Sequence, residues 1–168
     1  MREMPGQMTI SDYGALLREH TPCSEGEVAF SRCRTRKDVF DLIGGPVGVD
    51  FFLDSIRAGW GPTPKDFGAV FAPYINGKTT VSTTVGARRV QSQVWCEVDH
   101  VSVDDNIRWV VLIGCRGRVT IREWQVVKVF LDKNSSVTLD CAPGSIVYVE
   151  NYGGEVRSVN GDCKIIEK

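Results

Sequence analysis

The sequence predicts an α+β protein: an N-terminal cluster of short helices, then a β-rich domain that reads as β-solenoid-like in preference to an antiparallel sandwich. Three observations carry this prediction. Four helix-start signals fall within the first seventy residues. The pattern changes to β-branched, alternating runs after residue 70. From residue 118 onward those runs begin about every nine or ten residues, joined by short polar links. The expected organisation is a helical module over residues 1–70, a hairpin or connector over 71–90 and the β-rich domain over 91–168.

Each helix-start signal is a hydroxyl residue with a carboxylate three positions later: Thr9 with Asp12, Ser24 with Glu27, Thr35 with Asp38, Thr63 with Asp66. In that spacing the hydroxyl accepts from a free first-turn N–H while the carboxylate answers the cap's own N–H and the helix dipole. Pro64 occupies the favoured first helical position. Between the signals lie apolar faces such as Ile10, Tyr13, Leu16 and Leu17, then Val39, Phe40, Leu42 and Ile43. Gly44-Gly45-Pro46 ends one helix and starts the next, and Gly59 ends that one. About five short helices over residues 9–70 are expected, none long enough to be stable alone.

Next comes Tyr74-Ile75-Asn76-Gly77-Lys78, a hairpin signal because Asn-Gly readily takes the two positive φ angles of a type I′ turn. The expected strands then cover 79–85, 94–103, 108–113, 118–122, 126–131, 136–141, 145–150, 155–159 and 163–166. Their links are mostly not of the two-residue hairpin kind, and the strands are short and even, which favours coils stacking in parallel over a sandwich. In a solenoid, Val119, Ile121, Val127, Val129, Leu131, Val137, Leu139, Cys141, Val147, Val149, Val156, Cys163 and Ile165 stack inside the coil. A solenoid also ends in open strand edges that need covering. The helices are the expected cap for one end, and a partner chain, in a homo-oligomer or a larger assembly, is the expected cover for the other.

The composition bounds the function. The 168 residues are 42% apolar and 24% charged, enough to bury a real core. Twenty Lys and Arg against twenty-one Asp and Glu give a net charge of -1, so the long-range field that draws proteins to phosphate backbones is missing and nucleic acid is not the favoured partner. Neither half hides a basic excess: 8 basic and 10 acidic residues lie before residue 71, 12 and 11 after it. The opening MREMPGQMTIS has no long apolar region, and apolar runs elsewhere, such as Trp109-Val110-Val111-Leu112-Ile113, are only a few residues long. Neither a signal peptide nor a membrane span is expected, which makes the cytoplasm the expected compartment, with association to a virion as its variant. The six cysteines, Cys23, Cys33, Cys96, Cys115, Cys141 and Cys163, are expected as reduced thiols, and without a CxxC or CxxH pair no zinc site is expected.

Leu16-Leu17-Arg18-Glu19-His20 with Cys23, then Thr35-Arg36-Lys37-Asp38-Val39-Phe40, Phe51-Phe52 and Gly59-Trp60 resemble a short helical module of uncharacterised phage and integrated-element proteins from gut Bacteroides-like bacteria. Such a module precedes a β-rich tail there. Gln91-Ser92-Gln93-Val94-Trp95 and Trp109 through Cys115 are similar to the start of that tail. The resemblance implies a class, a small accessory or structural protein of a mobile genetic element, and it carries over no catalytic residue.

Cys96 and His100 could share one face of a strand, but four residues at about 3.3 Å each separate them by about 13 Å, beyond hydrogen-bond reach. Asp99, His100, Asp104 and Asp105 form an oxygen- and imidazole-rich patch without the ligand spacing of a calcium loop, and Asp-Asp-Asn is ordinary turn chemistry. The glycine clusters at 44–48 and 59–61 match no phosphate-cradle motif. Arg88 and Arg89, close to Trp95, make a small basic patch suited to a phosphate or a protein partner. Trp124, in Arg122-Glu123-Trp124-Gln125, sits in a polar context that exposes its ring, and exposed Trp beside Arg is a common interface anchor. The expected binding residues are therefore Arg88, Arg89, Trp95, Arg122 and Trp124. The expected function is non-enzymatic protein–protein contact, with the chain itself or another protein as partner and no cofactor. A small-ligand or nucleotide-binding module, with an anti-defence role, is the alternative, followed by a hydrolase built on Cys96 or the Asp99–Asp105 patch.

Overall fold

Valines recur at equivalent positions along the β-rich half because each coil of chain contributes one strand to each of two sheets. Val110, Val129 and Val149 stand opposite one another on three successive strands, 19 and 20 residues apart. The structure, a computed structural model, describes residues 9–19, 24–42, 53, 56–57, 72–78, 80–85 and 88–167. Ten strands are present: β1 Val81–Val85, β2 Arg88–Cys96, β3 His100–Ser102, β4 Trp109–Ile113, β5 Arg116–Ile121, β6 Val126–Leu131, β7 Ser136–Cys141, β8 Ile146–Asn151, β9 Glu155–Gly161 and β10 Lys164–Glu167. They form a six-stranded sheet of order β1-β2-β4-β6-β8-β10 and a four-stranded sheet of order β3-β5-β7-β9. All neighbours are parallel except β1 and β2. The β-rich region is a parallel β-solenoid of about four coils.

Between the sheets, side chains from alternate positions stack in columns. Val119, Ile121, Val127, Val129, Leu131, Val137, Leu139, Val147 and Val149 are all at most 1% exposed, Cys141 joins them, and Val156, Cys163 and Ile165 pack against the same cluster. Burying each such aliphatic side chain stabilises the fold by about 1.5–3 kcal/mol before the entropy of ordering it is subtracted. The corners carry their own polar ties. At one, Asp132 accepts from the Gly114 N–H at 2.9 Å and from the Ser135 hydroxyl at 2.6 Å, while that hydroxyl's oxygen accepts from the Cys115 N–H. At the other, the buried Gln125 side chain donates to the Asp104 carbonyl at 2.6 Å and accepts from the Arg122 N–H.

Among the described residues, the helices α1 Ile10–Glu19, α2 Ser24–Ser31 and α3 Arg36–Leu42 precede the sheets, and Leu53, Ile56 and Arg57 are helical as well. Two of the expected capping boxes are made as drawn from sequence. Asp12 accepts from the Thr9 N–H at 2.7 Å while Thr9 Oγ1 accepts from the Asp12 N–H, and Asp38 and Thr35 do the same for α3. The box at Thr63 and Asp66 lies outside the described residues, as do Cys23, Trp60 and the glycine cluster at 44–48.

The structure departs from expectation in three places. The run 94–103 is not one strand: the chain turns at Glu97, with φ 52°, and the run divides between β2 in one sheet and β3 in the other. The Asn76-Gly77 turn has both positive φ angles, 58° and 77°, but it follows a 3-10 turn (Ala72–Tyr74) rather than a strand. Its Asn76 N–H donates to the Val94 carbonyl, and its Oδ1 accepts from the Cys96 N–H. Together with antiparallel β1, it covers the edge of β2. The described helical residues, finally, pack on a face of the coil. Cys33, Val39 and Leu53 pack with Val94, Cys96, Val111, Ile113 and Phe130, which point outward from the six-stranded sheet. That explains the unbroken apolar run of β4, whose side chains are buried on both faces.

Candidate interaction surface

The turns at one corner of the solenoid stack in register as Asp104–Ile107, Arg122–Gln125 and Ala142–Ser145, each closed by a hydrogen bond from its fourth N–H to its first carbonyl. In the last of these the third position is Gly144, at φ 76°, as a type II turn requires. In the middle turn Trp124 holds that position, at φ 58°. A bulky residue there is an outlier that costs about 1–2 kcal/mol, and such strain persists only where the surroundings fix it. Here the Trp124 N–H donates to the Pro143 carbonyl at 3.2 Å. The six-membered ring lies against Gly144, where a Cβ would come within 2.3 Å of Cε3. One side of the indole rests on backbone and the rest faces solvent, leaving Trp124 77% exposed.

Arg122 leans the other way along the corner. Its guanidinium pairs with Asp105 at 3.1 Å and Asp104 at 3.5 Å on the preceding turn. Arg122 therefore holds the turn carrying Trp124 to its neighbour, and Asp104 and Asp105 of the oxygen- and imidazole-rich patch are engaged by a cation. His100 and Asp99 sit at the start of β3, away from that turn, and no group of three metal-ligating side chains occurs among the described residues.

Two residues beyond Trp124, the outward positions of the six-stranded sheet begin. Val126 stands beside Ile146, and Tyr148 stands between Lys128 and Ile166. Val126 and Tyr148 are exposed, and Ile146 and Ile166 are half-buried. Trp124, Val126, Ile146, Tyr148 and Ile166 thus form an apolar strip on the sheet face that the helices cover elsewhere. Exposed Arg108 flanks it at Val126, donating to that residue's carbonyl at 3.3 Å, and Lys164 flanks it beside Ile146. On its inner side Lys128 lies over the rings of Trp109 and Phe130 and pairs with Glu150. Glu150 also accepts from the Tyr152 hydroxyl at 2.5 Å and pairs with Arg57 at 3.6 Å. Burial pushes the Glu150 carboxyl up, but hydrogen bonds from Lys128 and Tyr152 and the charges of Lys128 and Arg57 outweigh it and hold the group below its ordinary value.

The residues expected from sequence do not form one site. Trp95 is half-buried against the interior cluster, its N–H toward Gln93 Oε1 at 3.3 Å and its ring against Gly77, so it is a packing residue. Arg88 and Arg89 begin β2 opposite Val85 and Thr84; their side chains lie outside the described residues. Arg122 and Trp124 share one turn, with their side chains directed to the turns on either side. Cys96 is 4% exposed beneath the helical module, with its thiol pushed well above the ordinary range by burial, whereas His100 is exposed on the other sheet. That geometry does not pair Cys96 with His100; His20 lies outside the described residues. Sequence reading missed Val126, Ile146, Tyr148 and Ile166. The available signal was apolar residues at both alternating phases of β6 and β8, which marks strands with two apolar faces.

A cleft of about 660 Å³ lies between α1 and α2, lined by Ile10, Gly14, Phe30 and Cys33 with Arg18 and Arg34 among the polar groups. No helix among the described residues is long and apolar enough to cross a membrane. No family model, no curated protein and no solved structure matches the chain.

Proposed function

We propose that the chain is a non-enzymatic interaction or accessory protein of a phage or mobile genetic element, acting by protein–protein contact in the cytoplasm, with another copy of itself as a partner. One observation carries this reading: Trp124 is held in a strained backbone conformation with 77% of its surface exposed, at the head of an apolar strip. A fold keeps such a residue at a cost in stability, and an exposed, preorganised aromatic adjoining apolar residues with charged neighbours is what a binding hot spot is built from. The phage assignment rests on the sequence resemblance.

Light scattering at micromolar concentration tests it. A species larger than 18.6 kDa is expected, and Trp124→Ala should shift it toward monomer while leaving the circular dichroism spectrum unchanged. A monomer at every concentration would remove self-association and leave a second protein as partner. The alternative of a small-ligand or nucleotide module rests on the α1–α2 cleft, whose volume is in the range of ligand pockets. Native mass spectrometry of the purified protein would favour it by detecting a retained small molecule that Phe30→Ala releases.

A further inference from the structure

Two thiols meet at the last corner of the solenoid, apart from the apolar strip. Cys141 ends β7, opposite Gly161 on β9. Gly161 has φ 100°, and a Cβ there would lie 1.9 Å from the Cys141 carbonyl oxygen, so no side chain occupies the rung below Cys141. The chain then crosses to β10 through Asp162 and Cys163 alone, two residues where the preceding corner uses the four from Ala142 to Ser145. The short crossing is held by the Gly144 N–H donating to the Asp162 carbonyl and the Lys164 N–H donating to the Ser145 carbonyl. It brings Cys163 onto the interior cluster that contains Cys141, and the Cys141 thiol faces the side chains of Cys163 and Ser145. Cys141 is 5% exposed, whereas Cys163 is half-buried and open to small solutes.

We infer that Cys141 and Cys163 are a reversible redox pair, whose disulfide staples the last half-coil to the coil before it. The asymmetry of the pair sets the order of events with hydrogen peroxide as oxidant. Burial and contact with Cys163 push the Cys141 thiol up to about 12, which keeps it protonated and leaves it the slower of the two to react with peroxide. The Cys163 sulfur is the one that peroxide reaches. It takes one peroxide oxygen as the O–O bond breaks, giving a sulfenic acid and one water. The Cys141 sulfur then attacks the Cys163 sulfur. The S–S bond forms as the S–O bond breaks, and the thiol proton leaves with the hydroxide as a second water. In sum, two thiols are oxidised by two electrons and one peroxide is reduced to two waters.

The test is peptide mapping of the folded full chain after mild peroxide treatment. The expected product is about 2 Da lighter, the two hydrogens lost, with a single crosslink between Cys141 and Cys163 that dithiothreitol reverses. Cys163→Ser should abolish the crosslink and Cys115→Ser should leave it; because Cys163 is only half-buried, C163S carries the test even where C141S fails to fold. Oxidation should raise the melting temperature of the wild type by roughly 5 °C, and not that of C163S. A crosslink between any other cysteines, or oxygen adducts on Cys163 with Cys141 left as a free thiol, would overturn the inference. So would an unchanged mass.

Discussion

On the six-stranded sheet, the outward row Val94, Val111 and Phe130 is buried beneath the helices and ends at Glu150. On the four-stranded sheet the corresponding outward rows are His100, Arg118, Thr138 and Ser158, then Ser102, Thr120, Asp140 and Asn160. Here side chains bond along the rows, Asn160 to Asp140 at 2.8 Å and Thr138 to Ser158 at 3.1 Å, and between them, Arg118 to Asp140 at 3.1 Å. Both faces are built on the same parallel ladder with the same apolar interior behind them. What differs is the second phase of each strand's alternation. An apolar second phase demands a cover; a polar one makes its own satisfied surface. The apolar strip at Trp124 is the part of the first face that runs past its cover.

This comparison is broken hardest by removing the cover. A fragment of residues 91–168, which the change of pattern near residue 70 by itself leads one to expect to stay soluble and folded, lacks β1, the start of β2 and every helix. It exposes Val94, Cys96, Val111, Ile113 and Phe130 together, and it should aggregate or lose cooperative unfolding, read by size-exclusion chromatography and thermal melts. A fragment that stays monomeric with a sharp transition would show that the solenoid tolerates a bare apolar face.

Point substitutions sharpen the contrast. Phe130→Ala, at a residue with no exposed surface on the covered face, should cost about 3–5 kcal/mol in urea unfolding. Thr138→Ala on the polar face should stay within about 0.5 kcal/mol. Equal effects would mean that the two faces contribute alike.

The Glu150 network, where the covered row meets its polar end, predicts a pH dependence. Its carboxyl is held below its ordinary value of 4.5 in the folded state. The network's contribution is therefore full above that value and disappears as pH falls through the lower folded value. Melting temperature should drop on acidification below about pH 4.5, and Glu150→Gln should be less stable at neutral pH with a flatter acid limb. An acid limb identical to that of the wild type would place the pH response elsewhere.

The smallest effect on stability belongs to the strip. Trp124→Gly relieves the positive φ while losing the ring's contact with Gly144. Urea unfolding should therefore change by no more than about 1 kcal/mol, while the association seen by light scattering falls. A loss of several kcal/mol would mean that the indole is a structural staple of the corner.

Much of the architecture was legible because a solenoid writes its interior into sequence twice per coil. The columns from Val119 to Ile165 follow from alternation and from the nine- to ten-residue spacing of the strands, since only inward positions repeat with both periods. The capping boxes at Thr9 and Thr35 were legible for a local reason: every atom involved lies within four residues. The corner at Glu97 was not. A single residue at φ 52° divides one alternating run into strands of two different sheets, and nothing about a glutamate announces a positive φ. Trp95 and Trp124 show the same limit. Both are tryptophans in mixed company, yet one is packed on the interior and the other is exposed, because strand phase in one case and turn position in the other set their directions.

By itself, then, the sequence determined the helices-then-strands order, the coil and its interior, and the exposure of Trp124 beside Arg122. All of these depend on local conformation or on periodicity, which a linear pattern carries. That described helical residues lie on the outer face of the six-stranded sheet was decided only in the tertiary structure, because an apolar second phase on β4 asks for a cover without saying which segment supplies it. The same holds for the strip from Trp124 to Ile166 and for the meeting of Cys141 with Cys163. Each joins residues about 20 or more positions apart whose proximity comes from the stacking of coils, and that register exists only once the coils have closed on one another.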